Sequence, residues 1–475
     1  MNEAAHPRSL ISRQFLTRLL PFADAATKEL PLSRLLRLSC FQISVGMASV
    51  LLTGTLNRVL IVELGLKAWV VAMMVALPLV AAPFRALIGF KSDTHRSFLG
   101  WRRGPYIWFG SMMMFGGFSF MPFALLVMTG HGHGPAIVGQ ICAALAFLLV
   151  GAGIHTTQTA GLALADDIAP PEVRPRVVSL LYVMLLVGML ISSVVIGQVL
   201  AQFSPLRLAQ VVQSAAALIL VLNVVAMWGQ EVRNTELTAP DRVRPSFDES
   251  WKTFASRPGA IRLLVAIGLG SAAFGMQDVL LEPFGGQILH MSVGQTTFLT
   301  AFWALGGLSG FGLAAHWLGK GVDPHRLAGA GALIGVPAFA LIVLAAPLQA
   351  APMFSIGAAL IGLGSGLFAV SALTAVMRHG GHAGAGLAIG AWGAVQATST
   401  GAAILIGGAM RDGVSALALT DALGETLRSP ISGYVSVYLT EIVLLFAALV
   451  AVGPLARHAS DPQTSKFGLP EFPTA

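Results

Sequence analysis

The sequence predicts an all-α membrane protein with twelve transmembrane helices in two six-helix repeats. Three observations predict it. The background is very apolar, with 55% hydrophobic residues against 11% charged ones and a mean hydropathy of +0.76. Apolar runs of about 20 residues recur from end to end, the length a helix needs to cross a hydrocarbon core of roughly 30 Å. Lys and Arg cluster in every second loop.

The elements follow in order. Residues 1–35 form a terminal segment in which Ser9–Leu20 reads as an interfacial amphipathic helix. Ile11, Phe15, Leu16, Leu19 and Leu20 share one face, and Ser12, Arg13, Gln14, Thr17 and Arg18 the other. No cleavable signal pattern precedes the first span. The spans fall at 36–62, 68–90, 105–128, 136–160, 177–202 and 207–229, then at 263–289, 293–317, 327–347, 352–377, 385–409 and 432–455. The runs are too long for barrel staves and lack alternation. A spanning helix satisfies its own backbone, as lipid demands. Gly306, Gly307, Gly310 and Gly312 mark close helix contacts in span 8. The charged stretch 230–262, with Pro240, Pro245 and Pro258, divides the spans six and six, into bundles at 36–229 and 263–456. The tail 457–475 reads as disordered.

Topology follows from charge. One set of loops, with the ends, holds Arg34, Arg37, Lys91, Arg102, Arg103, Arg174, Arg176, Arg242, Arg244, Lys252, Arg257, Lys320, Arg326, Arg378 and Arg457 among others. The opposite loops hold Lys67, Arg207, Arg411 and Arg428. By the positive-inside rule both termini are cytoplasmic. The net charge of +7 is thus a topology signal, not the footprint of a nucleic-acid surface. Cys40 and Cys142 both fall inside spans, which argues against a disulfide or metal framework.

The six-plus-six layout resembles that of the major facilitator superfamily. After span 2 come Gly89 and Asp93, then Arg96, Gly100, Arg102 and Arg103, similar to the facilitator loop signature. Asp93 at such a helix end meets backbone N–H groups and nearby Arg. Spans 4 and 5 are joined by Asp166, Asp167, Glu172, Arg174 and Arg176, a loop type common in that superfamily. The halves also match internally. Asn57-Arg58-Val59-Leu60 in span 1 and Gln277-Asp278-Val279-Leu280 in span 7 are offset by 220 residues (277 − 57). Parallel repeats of this kind place spans 1 and 7 face to face across a central cavity.

Arg58, Glu63, Asp278 and Glu282 lie at or near membrane depth, where a charge costs at least a few kcal/mol unless paired or hydrated. Arg58 and Asp278 are expected to pair. The pair reads as a ligand site or gate latch, or as a buried ion pair fixing helix register; Glu63 suits snorkelling. Gln277 is a further cavity candidate. With Asn223 and Gln396 it otherwise reads as helix-to-helix glue. Arg85 reads as a partner of Asp93 or of a lipid phosphate. Glu441 is the lone charge inside span 12 and a proton-relay candidate. His155, in Gly151-Ala-Gly153-Ile-His155, is either an axial ligand for a magnesium tetrapyrrole or a buried hydrogen-bonded histidine; the small neighbours are expected to leave room for a flat ring. His290 and His316 sit near helix ends. The pairs His131/His133 and His379/His382 lie in loops. No phosphate-binding loop, nucleophile elbow or zinc spacing occurs, which argues against an enzyme and predicts no metal site.

The wording of the spans resembles the PucC/LhaA family of photosynthetic bacteria. The resemblance rests on Phe41-Gln42…Gly46-Met47, Leu56-Asn57-Arg58-Val59, Phe84-Arg85-Ala86-Leu87, Gly100-Trp101-Arg102-Arg103-Gly104-Pro105-Tyr106, and Gln277-Asp278…Glu282-Pro283-Phe284. It covers nearly the whole chain, about Leu32 to Ala456. The leader Arg18-Leu19-Leu20-Pro21-Phe22-Ala23-Asp24 and the length are more similar to the LhaA branch. The resemblance implies a light-harvesting antenna assembly factor in the bacterial inner or intracytoplasmic photosynthetic membrane. Implied cofactors are bacteriochlorophyll, bound or delivered, and carotenoid. Implied partners are antenna polypeptides and the reaction-centre core, with pigment-synthesis and membrane-insertion machinery. The other reading of the residues is a proton-coupled facilitator of a small solute, which calls for several polar side chains at mid-membrane.

Overall fold

The computed structural model describes residues 27, 30–80, 88, 92, 100–129, 135–170, 173–231, 252, 255–420 and 428–458. The expectations for Ser9–Leu20, Arg85, Gly89, Asp93, Arg96, the loop histidines His131 and His133, and the tail from Ser460 lie outside the described residues. Of His379 and His382 only the helical backbone is described.

Helices account for the architecture: α1 (Leu32–Glu63), α2 (Ala68–Val80), α3 (Gly104–Met128), α4 (Ala136–Ile168), α5 (Arg174–Val199), α6 (Pro205–Met227), α7 (Ala260–Gln287), α8 (Val293–Gly319), α9 (Pro324–Ala345), α10 (Ala351–Val376), α11 (Ala391–Leu419) and α12 (Ile431–His458). Eleven of them are long and apolar enough to cross a membrane. The other, α2, is the described start of the expected second span.

Sequence explains the helix starts. Ser292 and Gln295 form a reciprocal capping box on α8, with Gln295 N donating to Ser292 Oγ at 3.3 Å and Ser292 N to Gln295 Oε1 at 2.9 Å. Asp323 accepts from the N–H groups of His325 and Arg326 ahead of Pro324 on α9. The backbone is helical without a break from Ala351 to Leu419. Even so, α10 and α11 are antiparallel. Phe354 stacks on Phe284 and Arg411 bonds Gln287, while Phe368 and Val395 lie against Gly270 and Gly268 further back on α7.

Packing follows the two-repeat plan. In the first half α1 lies on α4, α5 and α6, and α3 on α4 and α6. In the second, α7 contacts α12 and the α10–α11 stretch, which also packs α8 and α9. The halves meet along α5–α8 and α2–α11, with α1 against α7 and α8. Glycine makes these crossings close. At Gly46 an added Cβ would lie 2.8 Å from Met189 N, and at Gly188 2.6 Å from Ile43 Cα, so α1 and α5 touch backbone to backbone. Two boundaries differ from expectation. Asp166 and Asp167 sit in the last turn of α4, not in a loop, and α11 runs on to Leu419, which puts Arg411 inside a helix. In each case partners satisfy a charge that hydropathy alone assigns to a loop: Arg102 and Arg103, just ahead of α3, hold Asp167, and Asp412 and Gln287 hold Arg411.

Candidate functional site

The symmetry-related quartets both lie where their helices depart from α geometry. In α1, Val50–Thr55 and Val59–Glu63 are π-helical and flank Leu56–Arg58. In α7, Met276–Val279 is a 3₁₀ turn. Such breaks free backbone groups and re-aim side chains. They place Asn57, Arg58, Gln277, Asp278 and Glu282 together between the halves.

The contacts are specific. Arg58, 4% exposed, is ion-paired with Glu63 and donates Nη2 to the Met291 carbonyl at 3.2 Å. The expected Arg58–Asp278 pair is therefore replaced by Arg58–Glu63. Residues five apart share a face in a π turn, which brings Glu63 to the guanidinium. Asn57 bridges the halves instead, donating Nδ2 to the Asp278 carbonyl at 3.4 Å as well as to Thr53. Gln277 Nε2 donates to Asp278 Oδ1 at 3.0 Å, and Thr300 Oγ1 to Glu282 Oε1 at 2.8 Å. Glu282 lies against Gly54, where a Cβ would collide with the carboxylate. Thr55 and Thr297 meet at 3.3 Å. The face opposite the start of α1 is further tied by Asp412, which accepts from Trp69 N at 2.8 Å and from Arg411 Nη1 at 2.7 Å; Arg411 also donates to Gln287. Sequence reasoning missed Asp412 and Trp69. Adjacent opposite charges at the end of an apolar run were the available signal.

Below this closed face a cavity of about 290 Å³ lies between α5, α7, α8, α10 and α11. Six aromatic side chains, Tyr182, Phe274, Trp303, Phe311, Phe368 and Trp392, line it together with aliphatic residues and glycines. Asp278 supplies its charge, and Ser271, Ser365, Gln396 and Thr400 its remaining polarity. Gln396, expected as glue, is thus a cavity residue. Asn223 is glue as expected, accepting from Ser44 Oγ at 2.8 Å between α6 and α1.

His155 is half-buried on α4 and does not line this cavity. The room expected beside it is taken. A Cβ on Gly151 would strike Pro78 of α2, and one on Gly153 would lie 2.6 Å from the Gly110 carbonyl of α3. Those glycines pack helices. His290 sits in the α7–α8 connection with φ 53°, and His316 in the last turn of α8.

At the face where α1 starts, the facilitator-like charges assemble. Asp167 accepts from Arg102 Nη2 at 2.5 Å and Arg103 Nε at 3.0 Å, and Arg103 Nη1 donates to Ser92 at 2.6 Å. Glu231, which sequence reasoning missed, accepts from the backbone N–H groups of Arg102, Arg103 and Gly104 at 2.5, 2.8 and 2.8 Å, capping α3 from beyond α6. No local pattern announces a cap that arrives from 127 residues away. Asp166 is exposed beside Asp167, and Arg174 opens α5.

Residues 55–460 match the family described as PUCC protein. The chain belongs to that family. It is 56% identical over 404 residues to protein PucC of Rhodovulum sulfidophilum, covering 84% of this chain and 89% of that protein. It is 28% identical over 390 residues to the bacteriochlorophyll synthase 44.5 kDa chain of Rhodobacter capsulatus, covering 80% and 87%. Among solved structures, a bacterial homologue of the human lysosomal transporter Spinster, inward-facing and unoccupied, superposes with a TM-score of 0.66 at 16% identity, over 90% of this chain and 96% of that one. This likeness shows the facilitator fold of the PUCC chain.

Proposed function

We propose that this chain is an assembly factor for a photosynthetic light-harvesting antenna, the core antenna around the reaction centre in particular. On this reading it holds bacteriochlorophyll and passes it to antenna polypeptides entering the bacterial inner or intracytoplasmic membrane. Its termini face the cytoplasm, as the Lys and Arg distribution favours. It does so without catalysis of its own. Membership of the PUCC family supports the photosynthetic setting, and the name of the more distant bacteriochlorophyll synthase relative supports the pigment.

The aromatic cavity carries the reading. Flat rings stack on aromatic walls, and one carboxyl with a few hydroxyls and an amide is a sparse set for orienting a hydrophilic solute. The same sparseness disfavours the small-solute transporter. Gly307 provides the test. It lines the cavity, and a Cβ there meets nothing closer than the Leu186 side chain at 3.6 Å, so the backbone of α8 need not move to admit a Cβ, and Gly307→Leu adds bulk at the cavity wall. Protein purified in mild detergent from photosynthetic membranes is expected to carry a bacteriochlorophyll spectrum. Gly307→Leu is expected to lower the pigment per protein several-fold and to reduce core antenna in a complemented deletion strain, with free bacteriochlorophyll still made. Colourless wild-type protein would refute pigment holding, and loss of all bacteriochlorophyll in the deletion strain would replace assembly with biosynthesis.

A further inference from the structure

Behind the cavity wall lies a second group of polar residues. Glu441 stands on α12 about 15 Å from Ile431, at 1.5 Å per residue, which is near mid-membrane. It is fully buried, and neither carboxyl oxygen closes a hydrogen bond with the described residues. It lies against the backbone of Gln277 at the 3₁₀ break and within electrostatic reach of Asp278, where α12 contacts that turn. Asp278 faces the cavity. Three more buried polar atoms here also lack partners among the described residues: Gln277 Oε1, Asn57 Oδ1 and the Tyr438 hydroxyl.

The chemistry of these atoms is lopsided. Both Glu441 oxygens, Gln277 Oε1 and Asn57 Oδ1 are acceptors, and the donors beside them are the Tyr438 hydroxyl and the backbone N–H of Gln277, so acceptors outnumber donors. The group also lacks a cation. Arg58 is held by Glu63 and the Met291 carbonyl. Arg411 of α11 is held by Asp412, Gln287 and Tyr434. The remaining titratable groups on this side are Glu282 of α7 and Tyr434 and Tyr438 of α12 itself, while α9 and α10 bring no charged residue to this depth. Two ionised carboxylates here would repel each other without solvation. A proton supplies both a further donor and the missing positive charge.

We propose that Asp278 and Glu441 form a proton-binding site in which the pair holds an exchangeable proton, Asp278 being the member that trades it with the cavity. The site does not depend on pigment holding, and it is tested on pigment-free protein. Infrared spectra of the full-length chain in lipid nanodiscs, in sodium-free buffer at neutral pH, are expected to contain the carbonyl stretch of a protonated carboxyl group. Glu441→Gln should remove that band, and Asp278→Asn should shift it and change the pH at which it titrates. If Glu441→Gln does not accumulate, Glu441→Asp replaces it, and the band is then expected to move instead of vanishing. Identical protonated-carboxyl bands in wild type and variants would overturn the proposal. So would loss of the band on adding sodium at constant pH, which would make the site a metal-cation site.

Discussion

Arg58 owes its burial to a partner that the sequence places five residues away. The charge itself was legible, because an arginine in an apolar run stands out at once. Its partner was not. Repeat symmetry points from Arg58 to Asp278, whereas the π turn of α1 points it to Glu63. A π turn leaves no dependable mark in a run such as Val59-Leu60-Ile61-Val62. Removing one member of a buried pair strands the other charge, at a cost of about 3–5 kcal/mol when both are buried. Glu63 is 37% exposed, so Glu63→Gln is expected to destabilise the protein by less, about 1–3 kcal/mol. Unfolding in detergent by heat or by a denaturing surfactant measures it. Combined with Asp278→Asn, the effects should add to within about 0.5 kcal/mol. A coupling well above that would restore Asp278 as the functional partner of Arg58. The same contrast holds for His155. A lone histidine among glycines was visible, but whether the glycines faced space or a neighbouring helix is decided by helix rotation, which an apolar run does not encode.

Among the helices, the small residues sort by what faces them. The glycines of α8 read as one close-contact stripe, but they do three different things. Gly306 and Gly310 lie against the backbone of α10, with a Cβ at Gly310 reaching 2.5 Å from the Leu363 carbonyl. Gly307 borders the cavity, and Gly312 has open space around it. Gly362 on α10 answers from the other side, lying against the Trp303 carbonyl. Gly362→Ala must push two backbones apart and is expected to cost about 1–3 kcal/mol or more. Gly307→Ala should fall within about 0.5 kcal/mol of wild type. A melting series in one detergent compares them, and equal losses would show that the α8–α10 crossing is looser than described. The cap on α3 is a second element-level device. Glu231 satisfies three N–H groups that a helix start otherwise leaves open. Glu231→Ala is expected to cost about 1–2 kcal/mol, with Glu231→Gln in between, read by the same melting assay.

For the whole molecule, the described contacts between the halves cluster toward one face. Thr55–Thr297, Asn57–Asp278, Arg58–Met291 and Trp69–Asp412 all lie there, while the aromatic cavity lies below them. Six-plus-six topology was readable because charge alternation and span length survive any detail of packing. Which face is shut was not, since it turns on a few hydrogen bonds between distant residues. In a two-repeat fold, opening that face means rocking the halves apart, and the balance is set by such contacts. Asp412 is the most testable of them, as it ties α11 to the first turn of α2 and also holds Arg411. Asp412→Ala removes both ties and leaves the cavity lining untouched. A bias of about 1 kcal/mol toward the open state raises its population about fivefold where that state is rare. Spin labels at Lys67 and Gln295, in a background with Cys40 and Cys142 replaced by Ser, report the separation of the halves at that face. The variant is expected to gain a longer-distance population, and pigment-bearing protein should gain less of it if the cargo binds across both halves. An unchanged distance distribution in Asp412→Ala would assign closure to the α1–α7–α8 contacts alone, and Asn57→Ala would then be the substitution that opens the face.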